Sequence, residues 1–274
     1  MKNISLGQYY AVDSPIHRID PRVKIILAIL YIVIVFLCSN ILSIGLLMLS
    51  AILLVLISRI PIRMILRSLK ALLFIIIFTA ILNIFWATGE GAPLFEWSFI
   101  KIYKEGLVNA LFLIVRIITL IIGSSVLMTY TTTPIALTDG IERLLSPLKK
   151  IKVPVHDFAM IMTIALRFIP TLMDEADKIM TAQKARGADF TNGSLIKRAK
   201  ALIPILIPLF SSSIRHAVDL ATAMECRCYR GGEGRTRMKI LKCRASDIAA
   251  ICIMIVFGAG VVCTGIFLAP YLPF

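Results

Sequence analysis

Two short phrases of this chain carry the same charged pattern. Residues 181–190 read TAQKARGADF, and residues 222–231, 41 positions later, read TAMECRCYRG. Each holds Thr-Ala, three residues and then an arginine, Arg186 in the first and Arg227 in the second. Arginine presents a rigid fork of N–H donors that grips a carboxylate bidentately. One arginine near a helix end is explained by the helix dipole, which favours a cation there by about 0.3–1 kcal/mol. Two in near-identical wording point further, to a pair of plugs for acidic sockets on a partner.

Other chemistry-bearing residues are few. Arg116 stands in the apolar run LFLIVRIITLII, and a charge at membrane depth is a functional candidate by default. Pairing with a backbone carbonyl or a lipid headgroup is the alternative for it. Asp174, Glu175 and Asp177 form the one close acidic set, but at spacing i, i+1, i+3 they straddle two faces of a helix and suit solvent better than a metal. RGGEGRTRMK, residues 230–239, is glycine-rich and basic. It lacks the G-x-x-x-x-G-K-[ST] phosphate-loop pattern, so it reads as a basic linker near anionic lipid.

No phosphate loop, H-E-x-x-H or G-x-S-x-G occurs anywhere, and His17, His156 and His216 are scattered. The expectation is a non-catalytic chain with no cofactor or metal of its own. The six cysteines show no C-x-x-C spacing and read as reduced small hydrophobes.

The elements that must position the arginines sit in a hydrophobic chain. Of 274 residues 58% are hydrophobic and the mean hydropathy is +0.88, well above soluble domains, yet the net charge is +14. Five stretches come close to the ~20 helical residues that cross a bilayer: Val23–Cys38, Ile41–Ser58, Ala71–Ala87, Leu107–Thr129 and Ile248–Pro270. The uncharged run of 33 residues from Ile25 to Ile57 is too long for one crossing and splits at Ser39-Asn40 into a hairpin. Asp20-Pro21 in HRIDPRVK is an N-cap followed by proline at the first helical position, with Arg22 and Lys24 placed to snorkel to headgroups. The polar run through Pro21 does not have the form of a cleavable signal peptide.

Lysine and arginine set the orientation. Basic residues precede the first span and follow the second, while the turn between them has none. Residues 139–246 hold 19 Lys/Arg against 10 Asp/Glu, and the Glu90–Glu105 loop is mixed. The positive-inside rule then gives a multi-pass protein of the cell membrane with its N-terminus inside and the uncharged APYLPF end outside. Three regions result: a membrane part over 1–133 with four spans, a cytoplasmic part over 134–246, and a last span over 247–274. The fold class is all-α and polytopic.

In the cytoplasmic part the periodicity predicts two long amphipathic helices. One starts at Pro170 and buries Ile169, Leu172, Met173, Ala176, Ile179, Met180 and Gln183, with Gly187 as its stop. The other starts near Pro208 and carries the seam Phe210, Ile214, Ala217, Ala221, Met224 and Cys228 toward Gly231-Gly232. The apolar segments before them, 158–170 and 201–210, look too short or too proline-broken to span, and are expected at the membrane's inner face.

Nearly the whole chain resembles the transmembrane (T) component of energy-coupling factor transporters, a branch of the ABC systems. The likeness is carried by GQYYAVDSPIHRIDPRVK at the start, by Ala185-Arg186-Gly187, and by AMECRCYRGGEGRTR. The resemblance implies two cytosolic ATPase subunits that bind ATP and Mg, and a small membrane S component that captures a vitamin or a metal ion. It implies coupling helices that join them, with Arg186 and Arg227 as ATPase-docking residues. Ala185 and Gly187 would allow close approach, and Glu225 and Tyr229 would flank the second contact. The S component would lie along Phe210, Ile214, Ala217, Ala221 and Met224. The second signature departs from Ala-Arg-Gly, being Cys226-Arg227-Cys228, which fits two non-identical ATPases. No nucleic-acid partner is implied. Vitamin uptake is the expected role, over a dedicated cobalt or nickel system. The competing readings are a conventional ABC permease lining its own path, for which the spans offer only Arg116, Thr119, Asn83 and a few serines, and a membrane-bound lipid enzyme, for which a metal-binding acidic cluster is missing.

Overall fold

The computed structural model describes residues 9–38, 40–86, 95–97, 100–102, 104–188, 190, 194–231 and 243–268. Most of the Glu90–Glu105 loop, the bulk of the 230–239 linker and the APYLPF end lie outside the described residues. The chain forms two compact units, one over residues 5–141 and 241–274, the other over 142–240.

In the first unit α1 runs Pro21–Leu37, α2 Ile41–Ser58 and α3 Ile62–Trp86. A small antiparallel ribbon follows, β1 Phe95–Trp97 and β2 Ile100–Ile102, with Glu96 opposite Lys101. Next come α4, Lys104–Ser124, whose end loosens into a π-helical turn over Ser125–Tyr130, and α5, Pro134–Leu144. The last helix, α8 at Ala245–Leu268, packs beside α1 and α2. The expected helix start at Asp20-Pro21 is present, with the Asp20 carboxylate accepting from the Arg22 N–H at 3.0 Å. The charged residues Arg63, Arg67 and Lys70, outside the span expected for α3, are helical because nothing before Ala71 breaks the chain.

Tyr31, Val35, Leu47, Leu127 and Val261 form the centre of this unit's core. Polar side chains staple distant segments into it. Ser43 Oγ donates to the Val261 carbonyl, and the Asn40 amide donates to the Thr264 carbonyl at 3.2 Å. Lys24 corrects an expectation: it does not snorkel but is only 2% exposed. Its ammonium donates to the carbonyls of Thr131, at 2.7 Å, and His17, at 3.3 Å. Thr131 ends the π-helical turn, where unpaired carbonyls and the helix dipole both favour a cation. Asp247, in the first turn of α8, accepts from the backbone N–H of Asp20 at 3.2 Å and so ties the two helix starts together.

The second unit is dominated by two long helices. α6 covers Val155–Ala185 and α7 Leu195–Cys226, 31 and 32 residues. Each begins well before the proline expected to start it, and Pro170, Pro204 and Pro208 all lie inside. A proline in a helix interior removes one hydrogen bond and costs ~3 kcal/mol. Breaking the helix in an apolar segment would instead expose several backbone groups with no water to satisfy them, which costs more. Residues 158–170 and 201–210 are therefore the first halves of long helices rather than separate interfacial pieces. Among the described residues six helices are long and apolar enough to cross a membrane: α2, α3, α4 with its π turn, α6, α7 and α8. α1, with 17 residues, is shorter than these.

Candidate functional site

The two arginines sit at the ends of α6 and α7, each as the residue that closes its helix rather than inside the last turn. After Arg186, the N–H of Gly187 donates to the Lys184 carbonyl and the N–H of Ala188 to the Gln183 carbonyl, both at 3.0 Å. After Arg227, the N–H of Cys228 donates to the Glu225 carbonyl at 2.8 Å and that of Tyr229 to the Met224 carbonyl at 3.0 Å. Both patterns are the paired bonds of a Schellman cap, which turns the chain sharply and leaves the closing residue at a protruding tip. The cap requires a left-handed residue, and the two tips meet that need differently. Gly187 has φ +86°, as expected of glycine. Cys228 has φ +55° in a conformation that L side chains rarely take. The second helix thus stops at Cys226, short of the expected Gly231-Gly232, and Cys228 lies outside the seam in which the periodicity placed it.

Ala185, Arg186 and Gly187 are exposed at one tip, and Glu225, Cys226, Arg227 and Cys228 at the other. Neither guanidinium has a hydrogen bond or ion pair among the described residues. Tyr229 is half-buried, and its hydroxyl contacts Met160 Sδ at 3.0 Å. That contact sets the second tip level with the start of α6. Arg186 lies 26 residues further along, so the tips stand roughly 40 Å apart along the α6 axis at ~1.5 Å per residue.

What fixes this spacing is the packing of α6 on α7. Ser212 donates to the Glu175 carboxylate, and the rings of Phe168 and His216 meet at 6.0 Å between centroids. An apolar groove of about 260 Å³ lies between the helices, with Ile164, Phe168 and Leu172 facing Ala217, Ala221 and Met224. The expected coupling face therefore divides. Ala217, Ala221 and Met224 border α6, whereas Phe210 is 70% and Ile214 50% exposed. Together with Ile203, Ile207 and Val218, these two make an unpartnered apolar stripe along α7. The sequence reading missed the Ser212–Glu175 and Phe168–His216 contacts. The i, i+4 spacing of Ser212 and His216 was the one available signal.

Arg116 lies apart, in α4 of the first unit, and its Nη2 donates to the Cys38 carbonyl. Of the two alternatives open from sequence, carbonyl pairing is thus present. No group of three or more His, Cys, Asp or Glu that could hold a metal occurs among the described residues.

Comparison with known proteins places the chain in a family. The family model described as "Cobalt transport protein" matches residues 13–238. The energy-coupling factor transporter transmembrane protein of Clostridium kluyveri is 52% identical over 256 residues, 93% of this chain and 94% of that protein. The protein of the same name from Ruminiclostridium cellulolyticum is 52% identical over 257 residues, covering 94% and 95%. That from Bacillus subtilis is 46% identical over 259 residues, covering 94% and 97%. With two arginine-tipped helices and a likeness that spans nearly its full length, the chain belongs to the family of transmembrane (T) components of energy-coupling factor transporters.

Proposed function

We propose that this chain is the coupling subunit that transmits the motion of two cytosolic ATPases to a membrane S component, for uptake of a vitamin or similar micronutrient. The observation that carries the reading is the pair of exposed arginines, without an ion pair among the described residues, each held out on a Schellman cap and set roughly 40 Å apart by one helix pair. Two separate tips suit two sockets, one on each ATPase. ATP and Mg belong to those partners, and this chain performs no hydrolysis of its own. The unequal caps, Gly187 against Cys228, favour two non-identical ATPases, because the second tip is bulkier and its socket must differ.

The exposed stripe through Ile207, Phe210 and Ile214 is the surface proposed for the S component. ATP-driven closure of the ATPases would bring the tips together, and α6 and α7 would shift across their shared groove. Met160, Met173 and Met224 on these helices suit a contact that must repack, because methionine adapts its shape to more than one neighbour. The distribution of lysine and arginine supports an N-terminus inside and a C-terminus outside. The test is whether Arg186→Glu with Arg227→Glu releases two ATP-binding-cassette subunits from the chain purified out of its native membrane.

A further inference from the structure

A cavity of about 480 Å³ opens in the first unit. Its polar lining is Asn83 of α3, Asn109 and Arg116 of α4, and Cys38 at the end of α1, with Phe36 and Phe112 as apolar walls. We propose that this cavity binds a phosphate anion, the headgroup of an anionic phospholipid being the form a membrane supplies.

Three observations converge on an anion. The first is uncompensated charge: Arg116 makes no ion pair among the described residues, although it lies 12 residues, or about 18 Å, along an apolar helix from its start at Lys104. A guanidinium at that depth is costly, and the one carbonyl bond to Cys38 offsets only part of that cost. The second is unused donors. Nη2 is taken by the Cys38 carbonyl and Nε is buried out of reach, which leaves Nη1, without a hydrogen bond among the described residues, as the donor for an anion. A guanidinium edge with free N–H groups suits the paired oxygens of a phosphate.

The third is direction. Side chains on a helix tilt toward its N-terminus, and Arg116 does so, lying over the Phe112 ring with Cζ 5.3 Å from the centroid. Its charge is thereby carried toward the end where Asn109, five residues into α4, and Asn83, three residues before the end of α3, add amide donors. A guanidinium, two amides and two aromatic rings on one cavity suit a headgroup with acyl chains. On the topology proposed above, the end of α3 and the start of α4 lie toward the outer leaflet.

The experiment uses the full chain in phosphatidylcholine nanodiscs doped with phosphatidylglycerol, with native mass spectrometry reading the lipid retained after delipidation. Wild type should retain phosphatidylglycerol over phosphatidylcholine by about tenfold or more, the worth of one charge-assisted pair. Arg116→Gln should abolish that preference. Asn109→Asp keeps the guanidinium and its Cys38 bond but adds a negative charge, so it should abolish the preference as well, and it carries the test if Arg116→Gln does not fold. A parallel arm adds inorganic phosphate to phosphatidylcholine nanodiscs. A rise in melting temperature in wild type, lost in both variants, would assign the site to free phosphate instead of lipid. Equal retention of the two lipids by wild type with no phosphate effect, or a preference that survives both substitutions, overturns the proposal.

Discussion

The two Schellman caps differ in one residue, and the difference sets a measurable asymmetry. A Cβ built on Gly187 meets nothing within 4 Å, so Gly187→Ala introduces no clash. Its cost is the left-handed backbone alone, about 1 kcal/mol, since the residue keeps φ near +86° only against the preference of an L side chain. At Cys228 the same penalty is already present, with φ +55°, so Cys228→Gly should return about 1 kcal/mol. One kcal/mol is about a fivefold change in the population of the frayed cap. Hydrogen exchange followed by mass spectrometry reads it directly, at the N–H groups of Gly187 and Ala188 for one tip and of Cys228 and Tyr229 for the other. Exchange should rise about fivefold at the first tip in Gly187→Ala and fall about fivefold at the second in Cys228→Gly. If Cys228→Gly leaves exchange unchanged or speeds it, the second tip does not hold its cap at Cys228, and the argument for unequal sockets goes with it.

Two further predictions concern the membrane unit. A Cβ at Gly123 would collide with the fully buried Tyr31 ring, whose hydroxyl donates to the Thr119 carbonyl at 3.1 Å; Gly123→Ala should cost about 1–3 kcal/mol in thermal unfolding. Gly45→Ala, where a Cβ meets nothing within 4 Å, is the control and should be neutral or stabilising. His17 supplies a pH dependence. Its Nε2–H donates to the Tyr10 carbonyl at 3.0 Å, and its Nδ1 shares a hydrogen bond with the Ser14 hydroxyl at 2.7 Å. Burial holds its pKa below the ordinary value of 6.5. The unfolded chain therefore binds the proton first, so the stability from the neutral ring is complete above pH ~6.5 and is lost as the pH falls below it. Melting temperature against pH should fall more steeply in wild type than in His17→Gln across that window; parallel curves would refute it.

Much of this was legible in the sequence where the signal is local. Asp20-Pro21 announces α1, Asn40 precedes α2, and Gly187 stops α6, because each acts through its own backbone neighbours. The placement of both arginines at helix ends was legible for the same reason, since repetition of a phrase needs no tertiary information. What failed was local reasoning applied to non-local balances. Pro170, Pro204 and Pro208 look like helix starts until the cost of a broken helix in apolar surroundings is counted. Lys24 looks like a snorkelling residue until the chain brings the carbonyl of Thr131, 107 residues away, to its ammonium. Cys228 looks like part of an apolar seam because its spacing continues that of Met224, and only the cap bonds move it out of the helix.

The central claim is that Arg186 and Arg227 each hold one ATPase. Affinity purification of the chain from its native membrane, with partners weighed by mass, tests it most directly. Wild type should bring down two ATP-binding-cassette subunits and a small membrane protein. Each single arginine-to-glutamate change should weaken ATPase capture, and the double change should abolish it while the small membrane protein stays bound. Retention of both ATPases by the double variant would reduce the arginines to helix-finishing residues and contradict the account.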